Sequence, residues 1–88
     1  MADLRAQFEQ AKKNVETLTK RPSNEDFLFL YAHFKQANGG DAKGDRPGML
    51  DMVGRAKYDA WAKLKGTAKD AAMKKYIDKA ASLLKTHK

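Results

Sequence analysis

The sequence predicts an all-α protein, a four-helix bundle with one long crossover loop between its second and third helices. Three observations lead there. Apolar residues recur at the spacing of one helical face in four separate segments. The segments are divided by proline, glycine and short polar residues, which start and stop helices. The strict apolar–polar alternation of a half-buried strand appears nowhere in the chain.

The first helix carries Leu4, Phe8, Ala11, Val15 and Leu18 on one face, with Asp3 where an N-cap is expected. The run "TKRP" stops it, because Pro22 disfavours helical geometry at Arg21. Ser23 starts the second helix, with Asp26 at capping-box spacing. Its main stripe is Phe27, Leu30, Tyr31 and Phe34. Leu28 and Phe29 widen that stripe, so this helix should touch two things, one the core and the other a neighbour or a ligand. Residues 38–50, "NGGDAKGDRPGML", hold four of the six glycines and one of the two prolines, and show no periodicity. They form the crossover, which is either a plain connection or a functional loop. Asp51 opens the third helix and Gly66 closes it, with Val53, Ala56, Ala60, Trp61 and Leu64 as its stripe. Thr67 and Asp70 mark the start of the fourth by capping-box spacing. Met73, Tyr76, Ile77, Ala80 and Leu84 supply its buried face, and the terminal "KTHK" is expected to fray.

With 88 residues the chain is read as one domain, 1–88, and 42% hydrophobic content suffices for one compact core. A domain of this size buries only about two-thirds of its unfolded surface. Cysteine is absent, which excludes disulfides and thiolate metal sites and suits a reducing compartment. The net charge of +7 and pI of about 9.7 fit an anionic partner: nucleic acid, acidic lipid or a phosphorylated small molecule. They also fit the ordinary lysine surplus of small soluble domains. No apolar run approaches the roughly 20 residues of a membrane span. The N-terminal "MADLRAQFEQ" lacks the apolar stretch of a signal peptide, so a soluble, cytoplasmic protein is expected.

Catalytic chemistry finds little support. The histidines are His33, beside the Tyr31 face, and His87, in the tail. His33 reads as a half-buried ring bonded to a neighbour. No HExxH pattern or other metal-ligand cluster occurs, and the loop glycines do not lead into GK[ST]. No enzyme activity, metal or cofactor is expected.

Binding chemistry is more evident. Lys57 lies inside the apolar stripe of the third helix, where it must snorkel, pair, or meet a ligand anion. Tyr31 and Lys35 are four apart on the second helix, with Phe34 alongside, and Tyr76 sits in the stripe of the fourth. A buried tyrosine hydroxyl needs a hydrogen-bond partner. Two lysines and two tyrosines on apolar faces suit a phosphate beside a flat ring, which is the composition of a nucleotide. Trp61 reads mainly as a packing residue.

From Phe8 to Leu84 the chain resembles the acyl-CoA-binding proteins. The resemblance rests on "FLFLYAHFKQANGGD" (27–41), "RPGMLDMVGRAKYDAWAKLKG" (46–66) and "AMKKYIDK" (72–79). The combination LYxHxKQA, RPGMLD, KxDAWxxLKG and a late YI is specific to that family. The resemblance implies an up-down-down-up bundle that binds medium- to long-chain acyl-CoA non-covalently, one ligand per monomer, as a cytosolic carrier and buffer. By position it assigns Lys35 and Lys57 to the 3′-phosphate, Tyr31 to that phosphate and the adenine, and Tyr76 to packing and hydrogen bonding nearby. Ala32 and His33 fall in the binding segment, and Phe27 and Leu28 at acyl-chain positions.

Four positions depart from the family pattern. Phe34 stands where tyrosine is usual and Tyr58 where tryptophan is usual, reducing one polar contact and one aromatic surface of the site. Glu16 replaces a basic residue that helps hold the head group, a task left to Lys12 or Lys13. Lys12 itself stands where the family often has a small residue. The expected partner is acyl-CoA, with passing contact to membranes or acyl-CoA-using enzymes, no integral membrane association and no nucleic acid. Lysines scattered over several helices and an over-long central loop argue against a helix-turn-helix. A peripheral membrane or protein-interaction module is the other alternative.

Overall fold

The structure, a computed structural model, describes residues 3–18 and 22–86. These form a four-helix bundle with no strand among the described residues: α1 (Leu4–Glu16), α2 (Asn24–Gly39), α3 (Met52–Ala62) and α4 (Lys69–Thr86). The long crossover, residues 40–51, joins α2 to α3.

Three predicted starts are realised. Arg5 N donates to Asp3 Oδ1 at 3.1 Å, Asp26 N to Ser23 Oγ at 3.2 Å, and Gly54 N to Asp51 Oδ1 at 2.9 Å. Each satisfies an amide that has no partner within its own helix. Asp26 also meets Lys79 Nζ at 2.6 Å, tying the first turn of α2 to α4.

Several ends differ from expectation. α1 stops at Glu16, where Thr17 Oγ1 donates to Asn14 O at 2.6 Å. The "TKRP" stop therefore comes after the helix has ended, and Thr19, Lys20 and Arg21 lie outside the described residues. α2 runs on through Asn38 and Gly39, and Gly40 ends it at φ 79°. α3 ends at Ala62, before Gly66; a turn follows, closed by Gly66 at φ 87° and by Thr67 N donating to Leu64 O at 2.8 Å. That turn occupies Thr67, so α4 starts two residues later, at Lys69. Of the terminal "KTHK", His87 and Lys88 lie outside the described residues.

The helices do not close into a square. α4 packs between α1 and α2, and α3 packs only on the far flank of α2. The Cα envelope is thin as a result, 40 × 30 × 15 Å. The main core therefore comes from three helices: Phe8 and Ala11; Leu30 and Ala37; Ala72, Met73, Tyr76, Ala80 and Leu83. Leu83, not Leu84, ends the buried face of α4, because Leu84 turns into a shallow groove against α1.

The stripe predicted for α3 is corrected most. Trp61 is buried, Ala60 and Leu64 are half-buried, but Ala56 is exposed and Val53 is 66% exposed. With α2 its one neighbour, α3 has no second surface to cover that stripe. Polar ties hold it instead. Trp61 Nε1 donates to Gly40 O at 2.8 Å and Tyr58 OH to Gly44 O at 3.0 Å. Arg46 grips both Asp59 oxygens, Nε at 2.8 Å and Nη2 at 2.6 Å. All three contacts bind α3 to the crossover, which is thus an ordered strap.

Candidate functional site

The geometry starts from α2, whose length exposes different residues to three neighbours. Leu30, Ala37 and the buried His33 turn inward. Tyr31, Phe34 and Lys35 are half-buried along the edges. Phe27 and Leu28 meet Met52, Val53 and Ala56 of α3 in an apolar groove of about 250 Å³.

Lys57 crosses that seam. Its ammonium lies 5.4 Å from the Phe27 ring centre and 5.3 Å from that of Tyr31. Of the fates open to a lysine on an apolar stripe, Lys57 takes the aromatic faces, whose quadrupole attracts a cation. Lys35 is arranged alike, 5.0 Å from the Trp61 ring. Neither forms a salt bridge among the described residues.

On the other side of α2 the α1 and α2 backbones stand apart, and side chains alone span the gap. Arg5 Nη1 donates to Asn38 Oδ1 at 2.8 Å, and Phe8 stacks against Phe34 at 5.9 Å. Between the helices lies a cleft of about 680 Å³ whose charged lining is Arg5, Glu9, Lys12, Lys13, Glu16 and Lys35. An apolar hollow of about 230 Å³ adjoins it, lined by Val15, Phe27, Leu30, Tyr31 and Tyr76. Lys12 and Phe34 line both.

The predicted head-group residues thus occupy adjoining sub-sites. Tyr31 faces the hollow and the Lys57 seam; Tyr76 forms the floor of the hollow; Lys35 and Lys13 line the cleft. Tyr76 packs edge-on against Phe8 at 5.1 Å, and its hydroxyl makes no hydrogen bond to another described residue. Burial, with Glu16 adding to it, pushes that hydroxyl's pKa up to about 12, so it is a proton donor at neutral pH. Ala32 is buried within α2. His33 stacks on Phe29 at 4.1 Å and donates from Nδ1 to Phe29 O at 2.8 Å, on the side facing Lys75 and Lys79 of α4. It is bonded to a neighbour, as expected, but buried more fully than expected. Tyr58 points to the crossover, with its ring edge toward Trp61 at 6.3 Å.

Three comparisons with known proteins bear on this arrangement. The family model "Acyl CoA binding protein" matches residues 5–80. The chain belongs to the acyl-CoA-binding protein family. An acyl-CoA-binding protein homolog of Manduca sexta is 52% identical over 82 residues, 92% of this chain and 91% of its own. Acyl-CoA-binding domain-containing protein 6 of Arabidopsis thaliana is 47% identical over 81 residues, covering 92% and 88%. The crystal structure of Oryza sativa acyl-CoA-binding protein 2 superposes with a TM-score of 0.90 at 39% identity, covering 96% of this chain and 93% of that one.

This family member also holds a residue that the sequence reading passed over. Gln36 is fully buried, and its Nε2 donates to Asp41 Oδ1 at 2.9 Å and to Thr67 O at 2.8 Å. Gly66 N donates to the same Asp41 oxygen at 2.8 Å. One amide thus pins the end of α2, the start of the crossover and the α3–α4 turn. A polar residue at a core position of α2, one turn from Ala32 and His33, was the available signal.

Proposed function

We propose that the protein is a non-catalytic cytoplasmic carrier and buffer of medium- to long-chain acyl-CoA thioesters, binding one ligand per monomer. The observation that carries this reading is the Lys57 seam. There a cation with no carboxylate partner among the described residues rests on two aromatic rings at the edge of an apolar groove. That is a site for a molecule anionic at one end and greasy at the other. The family's name and the names of the similar proteins point to the same ligand class.

In this reading Lys35 and Lys57 move from their rings to the 3′-phosphate. Tyr31 donates to that phosphate and flanks the adenine, and Tyr76 completes the pocket. Each charge-assisted hydrogen bond contributes about 1.5–3 kcal/mol. Phe27 and Leu28 receive the acyl chain against Met52 and Val53, at about 0.8 kcal/mol per buried methylene. Ala32 and His33 act by packing, Tyr58 by steadying the crossover, and Lys13 by adding positive charge to the cleft. None of these roles calls for a cofactor.

Calorimetry against acyl-CoA thioesters of increasing chain length tests the proposal. Saturable one-to-one binding that strengthens with length until the groove is full supports it. Equal affinity for short and long chains, or binding of free fatty acid as tight as the thioester, contradicts it. Trp61, the one tryptophan, gives a parallel fluorescence signal through its Lys35 contact.

A second reading has its own observation. Met49 and Leu50, 80% and 101% exposed, precede Met52 and Val53, which are 77% and 66% exposed and line the groove. On a chain of net charge +7, such an apolar tip suits passing contact with an anionic lipid surface, although Asp45 and Asp51 lie close by. No helix among the described residues is long and apolar enough to cross a membrane. Cosedimentation of the ligand-free protein with phosphatidylserine-containing vesicles, lost in Leu50→Ser, supports this contact; no cosedimentation refutes it.

A further inference from the structure

Lys12 shares the arrangement of the two lysines assigned above. Its ammonium lies 4.7 Å from the Phe34 ring centre and forms no salt bridge among the described residues. Ring contact alone does not mark a ligand cation: Lys79 also rests on a ring, Phe29, but Asp26 meets its charge at 2.6 Å. Position separates Lys12 further. It borders the buried face of α1, one turn after Phe8, and lines both the cleft and the apolar hollow. Lys13, next in sequence, lines the cleft alone. Glu16, one turn on from Lys12, places a negative charge in the same cleft, so an entering anion needs a cation at that depth.

We infer that Lys12 is a further ligand-binding residue of this chain: its ammonium leaves the Phe34 face to pair with a phosphate of the thioester's nucleotide end, opening that face to a flat base. The inference rests on the acyl-CoA reading. It also gives Phe34 a role that needs no hydroxyl, as the resting platform of a cation and then a stacking surface. The exchange suits both groups. An exposed ammonium such as that of Lys12 is weakly held by a half-buried ring, whereas a phosphate pair is charge-assisted.

Calorimetry with hexadecanoyl-CoA on wild type, Lys12→Ala, Lys12→Arg and Lys13→Ala tests this. Alanine is a strong helix former, so α1 tolerates it. Lys12→Ala should weaken binding about tenfold, Lys13→Ala by about two- to threefold, the smaller loss of a residue that only adds charge to the cleft, and Lys12→Arg should keep most of the affinity. In NMR spectra the Lys12 ε-methylene protons, shifted upfield by the Phe34 ring, should return to ordinary positions when ligand is added. If wild type binds and Lys12→Ala binds equally well, or the ε-methylene signals do not move, the inference fails while the acyl-CoA reading stands. If wild type itself does not bind hexadecanoyl-CoA, both fail.

Discussion

The ammonium of Lys57 on α3 lies 5.3 Å from the centre of the Tyr31 ring on α2. With Phe27 on its other side, it closes the α2–α3 seam without a carboxylate from any described residue. The positive charge is held by weak, reversible contacts and remains available to an anion. Lys57→Ala should therefore cost little folding stability, about 1 kcal/mol, because cation–π contacts at accessible sites are weak. It should cost more in acyl-CoA affinity, about 1.5–3 kcal/mol. Urea unfolding and calorimetry on the same variant measure the two losses. A larger loss in stability than in affinity would make Lys57 a structural residue.

Gln36 gives a sharper stability test. Its Nε2 faces two acceptors, so Gln36→Glu sets a carboxylate against the Asp41 carboxylate and the Thr67 carbonyl. The expected destabilisation is about 3–5 kcal/mol, as for an uncompensated buried charge. The pH dependence should also change sign. In the wild type, hydrogen bonds from Gln36 and Gly66 hold the Asp41 carboxyl below its ordinary 3.8, so stability present above that value is lost as pH falls through the lowered one. In the variant the buried glutamate is raised and gains a donor when protonated, so acidification should restore stability. Urea midpoints across the acid range distinguish the two slopes.

The start of α3 couples Asp51 to Gly54. A Cβ on Gly54 would come within 2.8 Å of Asp51 Oδ1 and still closer to the rest of that carboxylate, the group that caps the helix. Gly54→Ala must therefore expel the cap, losing about 1 kcal/mol, while gaining about 1 kcal/mol of helix propensity. The net change should be near zero. Asp51→Ala should cost about 1 kcal/mol in the wild type and almost nothing in the Gly54→Ala background. Additive losses in thermal unfolding would show that the cap survives the substitution.

His33 makes stability depend on pH near neutrality. Burial lowers its pKa below the ordinary 6.5; the Phe29 carbonyl opposes this, and nearby Lys75 adds to it. The folded state therefore binds this proton less readily than the unfolded chain. Its contribution is complete above pH 6.5 and is lost as pH falls through the lowered folded value. Unfolding midpoints should drop as pH falls below the ordinary 6.5, and His33→Gln should flatten that drop. An unchanged slope would assign the dependence to another group.

Sequence patterning located the helices because capping residues and apolar spacing act locally: Asp3, Ser23 and Asp51 cap as read. It mistook the outer part of the α3 stripe, Val53 and Ala56, for core. Periodicity reports which residues share a face, not whether a second helix covers that face, and α3 has only α2 beside it. Lys57 and Tyr31 were legible as candidates from residue type and spacing. Their contact was not, nor was the way Gln36 and Trp61 pin the crossover, since those bonds join residues distant in sequence. Position along α1 likewise could not separate Lys12 from Lys13; the cavities on either side of Phe34 do.

The central claim is that site cations on aromatic rings take their countercharge from the nucleotide end of an acyl-CoA. A structure of the protein with hexadecanoyl-CoA tests it most directly. The account predicts phosphate oxygens about 3 Å from the Lys35 and Lys57 ammonium groups, with the tail between Phe27, Leu28, Met52 and Val53. A nucleotide bound elsewhere, with both ammonium groups still on their rings, would contradict it.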